Sequence, residues 1–150
     1  MTGGEFAGEL TRETARLLPE GLRAFRHRRQ GRLVKIHYGA PEVHFEAWPH
    51  ARTGRVEVGL HLEGTAALNR RGFELLRSRM VEIKGALPEA ELEPWDRGWC
   101  RLYQTLPAPA LDAEVARRTA ALMARYVEAL QPLVAEILSG AGPAGRGGDA

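Results

Sequence analysis

The chain has 150 residues, 44% of them hydrophobic and 27% charged, with a net charge of +2. This is the composition of one globular domain that buries roughly 70% of its unfolded surface without staples, and the lone cysteine, Cys100, excludes an internal disulfide framework. No apolar run is long enough to span a bilayer, and Glu5, Glu9 and Glu13 interrupt the N-terminus where a signal peptide needs its apolar stretch, so a cytoplasmic protein without a membrane partner is expected.

Residues 1–4 and 140–150 are poor in large apolar side chains, and five of the last eleven residues are glycine. Both ends are expected to be disordered, leaving a single α+β domain over residues 5–139. From residue 5 to 29, Phe6, Leu10, Leu17, Leu18, Leu22 and Phe25 fall mostly at helical steps, with Pro19 either kinking one helix or starting a second. The period then changes to two. Val34, Ile36 and Tyr38, then Val43, Phe45 and Ala47, then Val56, Val58, Leu60 and Leu62 alternate with mostly polar neighbours. Three strands follow, joined by turns at residues 39–42 and 49–54 into an antiparallel meander.

Leu68, Phe73, Leu76, Met80 and Ile83 predict a helix over residues 66–86, interrupted in pattern by Gly72 and ended by Pro88. A fourth strand fits residues 99–106, with residues 91–93 extended before a turn at Asp96-Arg97-Gly98. Asp112 caps a long last helix marked by Val115, Leu122, Tyr126, Leu130, Leu133 and Ile137, with a kink expected at Pro132. The fold class is therefore α+β: a three-strand meander plus a fourth strand, helices packed on one face, in the order α-β-β-β-α-β-α.

If the hairpins turn at residues 39–42 and near Thr53, the register keeps the apolar alternation on one side and places His37, His44 and His61 in a row across three strands, with Lys35 beside Glu46. Three such histidines are candidate ligands for zinc or another divalent ion, or ordinary cross-strand pairs on a half-solvated face. If Cys100 and Leu102 point to the core, Trp99, Arg101 and Tyr103 join Lys35 and Trp48 on the same polar face. Such a set can stack bases and hold phosphates, or be covered by a helix or a second subunit. The densest positive run, Arg26-His27-Arg28-Arg29-Gln30-Gly31-Arg32, could contact phosphates through Arg26, Arg28, Arg29 and Arg32, or serve as a solvated helix end where cations suit the dipole.

Glu82-Ile83-Lys84 matches half of a metal-dependent nuclease signature but sits on a helical pattern and lacks the upstream acidic partner. No nucleophile elbow, phosphate loop or dinucleotide fingerprint is present, so no catalytic residue and no cofactor is assigned. Cys100 reads as a buried structural thiol.

The run Val56 to Leu62, then Asn69, Phe73-Glu74-Leu75-Leu76, Glu82-Ile83-Lys84-Gly85, Leu92-Glu93-Pro94-Trp95 and a strand at Arg101-Leu102 together resemble a domain of unknown function found at the C-terminus of restriction-modification-related proteins, over residues 43–137. That resemblance implies a DNA-associated accessory role in defence and brings no established catalytic residues. The element order is also similar to the type III secretion chaperone-like fold, which forms dimers and binds extended partner segments. The expectation is a non-enzymatic binding module, a homo-oligomer, with nucleic acid as the first partner. The alternatives are a dimeric chaperone-like module and a metal-dependent nuclease.

Overall fold

The computed structural model describes residues 1–140. The fold is α+β, with four helices and one antiparallel sheet of six strands. In chain order these are α1 (Gly3–Leu17), β1 (Arg26–Gln30), β2 (Leu33–His37), β3 (Val43–His50), β4 (Arg55–Leu62), α2 (Ala66–Ser78), α3 (Met80–Ala86), β5 (Glu91–Pro94), β6 (Cys100–Pro107) and α4 (Ala113–Ser139). The strands lie in the order β1-β2-β3-β4-β6-β5.

The central meander has the register expected from the alternation and the two turns: Lys35 opposite Glu46, His44 opposite His61, Trp48 opposite Glu57. Its inward set, with Val34, Ile36, Val43, Phe45, Ala47, Val56, Val58, Leu60 and Leu62, is at most 1% exposed. Helix α4 covers β3 and β4, α1 lies between α4 and the β1–β2 side, and α2 packs on α4 and β4. Only the apolar face carries helices, because only that face gains from removing hydrocarbon from water.

Four expectations are corrected. The segment 5–29 is neither one kinked helix nor two full helices, since only a single 3-10 turn, Glu20–Leu22, follows Pro19. Helix α1 stops at Leu17, because Pro19 disfavours helical geometry in the residue before it, and Arg26–Gln30 is an edge strand. That strand holds no apolar residue, so it shows no alternation, and all five residues are exposed. The N-terminus is ordered: Thr2 accepts a bond from the Glu5 amide and the Glu5 carboxylate accepts one from the Thr2 amide, a capping box that starts α1 at Gly3. The predicted helix 66–86 divides at Arg79 into α2 and α3. Residues 91–94 pair with β6 as a sixth strand, so the order is α-β-β-β-β-α-α-β-β-α rather than α-β-β-β-α-β-α. Of the expected disordered tail, Gly140 closes α4 in the left-handed conformation at φ +66°. The remainder lies outside the described residues.

Gly72, out of place in an amphipathic helix, is explained by contact. A Cβ there would stand 2.0 Å from Leu62 Cδ2 and 3.4 Å from Ile137, so its absence lets α2 settle onto β4 and α4. No described helix is long and apolar enough to cross a membrane.

Candidate binding face

The face of the sheet opposite the helices is built from every second residue of six strands. Two neighbouring rows follow from the pairing. One runs Arg28, Lys35, Glu46, Gly59, Tyr103, Glu91, and the other places Arg26 beside His37, then His44, His61, Arg101 and Glu93. Charge therefore changes sign across the face, basic at the β1–β2 end and acidic at β5.

The centre is buried although no helix covers it. His44 is 2%, Glu46 5%, Glu57 3% and His61 4% exposed. Their cover is other long side chains of the same face. The Arg101 guanidinium lies between the rings of Trp95 (3.6 Å) and Tyr103 (3.8 Å) and donates to the carboxylates of Glu57 and Glu93. The Tyr103 hydroxyl donates to Glu93 at 3.2 Å, and Trp95 also leans on His61 at 5.6 Å between centroids. The rings of Trp48 and His50 pack at 4.1 Å.

Below Trp95, the His44 and His61 rings stack at 5.6 Å with their planes 12° apart. His44 Nδ1 is 2.9 Å from the Pro41 carbonyl and Nε2 is 3.1 Å from Glu46 Oε1. His61 Nε2 is 3.0 Å from Glu57 Oε2 and Nδ1 is 3.2 Å from Glu63 Oε2. Burial alone would lower the His61 pKa. Its hydrogen bonds to Glu57 and Glu63 and the charges of Glu46 and Glu57 outweigh burial and raise it to about 9. Burial pushes the Glu57 and Glu63 carboxyls up, but the neighbouring His61, helped by Arg101 at Glu57 and by His44 and Lys35 at Glu63, holds both below the usual range. Buried charges persist where each has an opposite partner, and here the partners form one continuous network.

The predicted site residues are placed as follows. His44 and His61 meet, but His37 is not in their group. Among the described residues, the side chains placed to hold a metal are His44, Glu46, His61 and Glu63. Strands stand about 4.8 Å apart, so three residues in a row span about 10 Å, too far for one ion with bonds of about 2 Å. His37 stays at the rim, where burial and the nearby His44 lower its pKa. The carboxylates were legible as a repeat, His-x-Glu on both central strands. Lys35, Trp48, Arg101 and Tyr103 lie on this face as expected, with Arg101 fully engaged. Trp99 does not. The 3-10 turn Asp96–Gly98, with Arg97 at φ 62° and Gly98 at φ 74°, re-aims the chain before β6 begins. Trp95 and Trp99 both line a hollow of about 310 Å³ with Asn69 and Phe73 of α2, but of the two it is Trp95 that reaches His61 and Arg101 on the face.

The basic run lies on a hairpin. Gly31 and Arg32 form its two-residue turn, with Gly31 at φ +61° in the position that favours a residue without Cβ. Arg26 and Arg28 project from the open face and Arg29 from the helix side, where it approaches Gly8 of α1. From residue 21 to 41 the sequence has six cationic side chains and no carboxylate. The side chains of Arg26, Arg28, Arg29, Arg32 and Lys35 have no hydrogen-bond or ion-pair partner among the described residues. Most arginines elsewhere are engaged, for instance Arg16 with Glu13, Arg77 with Glu74 and Arg71 with the Ile137 carbonyl.

Two other candidates lie apart from this face. Cys100 is 3% exposed and burial raises its thiol to about 11, so it is protonated at neutral pH. Glu82 and Lys84 lie on α3, where Lys84 Nζ donates to the Ala90 carbonyl at 3.1 Å. No protein-family model matches the chain, and neither a curated protein nor a solved structure does.

Proposed function

We propose that this protein is a binding module, not a catalyst, and that it engages a phosphate-bearing polyanion, nucleic acid first, through the β1–β2 hairpin and the adjoining basic end of the open face. The observation that carries this reading is the concentration on one hairpin of five cations that make no hydrogen bond or ion pair among the described residues, within a stretch of sequence devoid of carboxylates; of the five, Lys35 alone acts electrostatically on a carboxylate, Glu63. Side chains that are already neutralised, such as Arg101, gain little from a phosphate. Unpaired arginines on an exposed strand bind one by releasing counterions, with no sequence preference required. The acidic far end of the face sets the orientation, because it repels the same backbone.

The test is fluorescence anisotropy of a labelled oligonucleotide, single-stranded and duplex, across a salt series. Affinity on the duplex is expected to fall with a log–log slope of about −0.9 per phosphate contact. The triple variant Arg26→Gln, Arg28→Gln, Lys35→Gln should lose about three contacts from that slope. Arg77→Gln, on α2, should match the native chain. No retention of either oligonucleotide at low salt, or an unchanged slope in the triple variant, would refute the reading.

A further inference from the structure

The buried centre of the face poses a separate chemical problem. His44-Phe45-Glu46 and His61-Leu62-Glu63 are the same pattern on two paired strands, and His44 is registered opposite His61. An antiparallel pair has a local two-fold axis normal to the sheet at such a position. That axis brings the two imidazoles face to face and sets Glu46 and Glu63 on opposite sides of them. All four side chains offer a ligand atom within 4.8 Å of one another.

The hydrogen-bond accounting does not close with neutral rings. Each of the four ring nitrogens faces an oxygen that only accepts: the Pro41 carbonyl and Glu46 for His44, Glu63 and Glu57 for His61. A neutral imidazole has one N–H, so one nitrogen of each ring would set its lone pair against an oxygen lone pair. A proton or a cation must stand in each of these gaps. The two stacked rings lie 5.6 Å apart between centroids, so one ion can serve both. A single divalent ion would take a lone pair from each neutral ring and set positive charge against the carboxylates.

We propose that His44 Nε2, His61 Nδ1 and one carboxylate oxygen each from Glu46 and Glu63 form a binding site for a divalent first-row transition-metal ion, zinc foremost. The donor spacings fit. His44 Nε2 is 3.1 Å from Glu46 Oε1 and 3.9 Å from Glu63 Oε2, and His61 Nδ1 is 3.2 Å from Glu63 Oε2. Tetrahedral bonds of about 2.0–2.1 Å set ligands about 3.3 Å apart. The outer contacts fit as well. With those donors assigned, the remaining ring N–H groups already have acceptors: the Pro41 carbonyl for His44 Nδ1–H, and for His61 Nε2–H the Glu57 carboxylate, itself gripped by Arg101. Metal-bound histidines characteristically donate their second N–H to a backbone carbonyl or a carboxylate, which fixes the tautomer. Two imidazoles beside two carboxylates select zinc or a neighbouring transition metal over magnesium, which prefers all-oxygen shells.

The experiment uses the full chain stripped with chelator and titrated with zinc by calorimetry, and with cobalt as an optical probe of coordination. One ion per chain is expected, with tetrahedral-type cobalt absorption and a binding heat that depends on buffer because protons are released. Excess magnesium should not compete. His44→Ala and Glu63→Gln should each weaken zinc at least tenfold. Glu63→Gln keeps shape and changes a partly exposed side chain, so its fold is checked by circular dichroism and the result stands even if His44→Ala unfolds. His37→Ala and Glu82→Gln should bind as the native chain does. No zinc binding by the native chain, an unchanged affinity in Glu63→Gln, or loss of the ion in His37→Ala would overturn the assignment.

Discussion

At Gly59, β4 has no room for a side chain beside β6, and replacing it with alanine gives a sharp test of the packing. A Cβ at position 59 would lie 2.5 Å from the Leu102 carbonyl oxygen, 2.5 Å from Tyr103 Cβ and 2.8 Å from Tyr103 Cα. None of these is the free end of a flexible side chain, so relief requires moving a strand. Restoring ordinary contact at 3.4 Å takes a displacement of 0.9 Å, the difference from 2.5 Å. A typical ladder bond of about 2.9 Å would open to about 3.8 Å, beyond hydrogen-bonding range. Losing about two such bonds at about 1 kcal/mol each, with the strain of overpacking, costs about 3 kcal/mol. That is a large part of the 5–15 kcal/mol typical of a domain. The assay is urea denaturation, where a slope of about 1–3 kcal/mol/M converts this loss into a midpoint lowered by about 1–3 M. Gly85→Ala is the control, since nothing lies within 4 Å of its added methyl group. A Gly59→Ala midpoint within about 0.3 M of the native value would refute the close-approach argument.

Three further outcomes are expected. In chelator, His61 contributes stability that is complete below its ordinary pKa of 6.5 and is lost as pH rises through about 9, worth about 3 kcal/mol, whereas the lowered Glu57 and Glu63 lose theirs as pH falls through the carboxylate range. Urea midpoints from pH 6 to 10 check this, and a flat profile shared by His61→Gln would contradict it. Arg101→Lys keeps the charge but loses the two-carboxylate fork and the planar stack between Trp95 and Tyr103. It should destabilise by about 1–3 kcal/mol and alter tryptophan fluorescence, and a silent substitution would show that charge alone suffices. Asp112→Ala removes the carboxylate that accepts from the Val115 amide at 2.9 Å and should cost about 1 kcal/mol, read by thermal melting.

The meander was legible because its signal is physical. Alternation at period two allows one face into the core, and a slip by one residue would expose Val43, Phe45, Ala47 and their partners together. Together with turns placed at residues 39–42 and near Thr53, that constraint pairs Lys35 with Glu46 and His44 with His61, as the structure has them. Strand β1 carries no such signal, since a strand exposed on both sides has no apolar set to align. Its trace was the two-residue Gly31-Arg32 turn ahead of an evident strand. The carboxylates of the central cluster were missed for another reason. A row of like residues drew attention along one line of the sheet, whereas ligands converge diagonally, from positions two apart on each strand. Trp95 rather than Trp99 meets Arg101 and His61 because left-handed backbone at Arg97 and Gly98 interrupts the alternation that places side chains by parity.

The two outer borders of the sheet bear on how the molecule behaves when crowded. One border is β1, where three of the five residues are arginine and all five face water. The other is β5, only four residues long and closed by Pro94, which has no amide hydrogen to donate. Copies meeting arginine border to arginine border repel, and a copy seeking to extend β5 finds almost no ladder to join. Concentrated solutions should therefore resist fibril growth at low ionic strength, and a polyanion that neutralises the arginine border removes one of these two safeguards while the proline keeps the other.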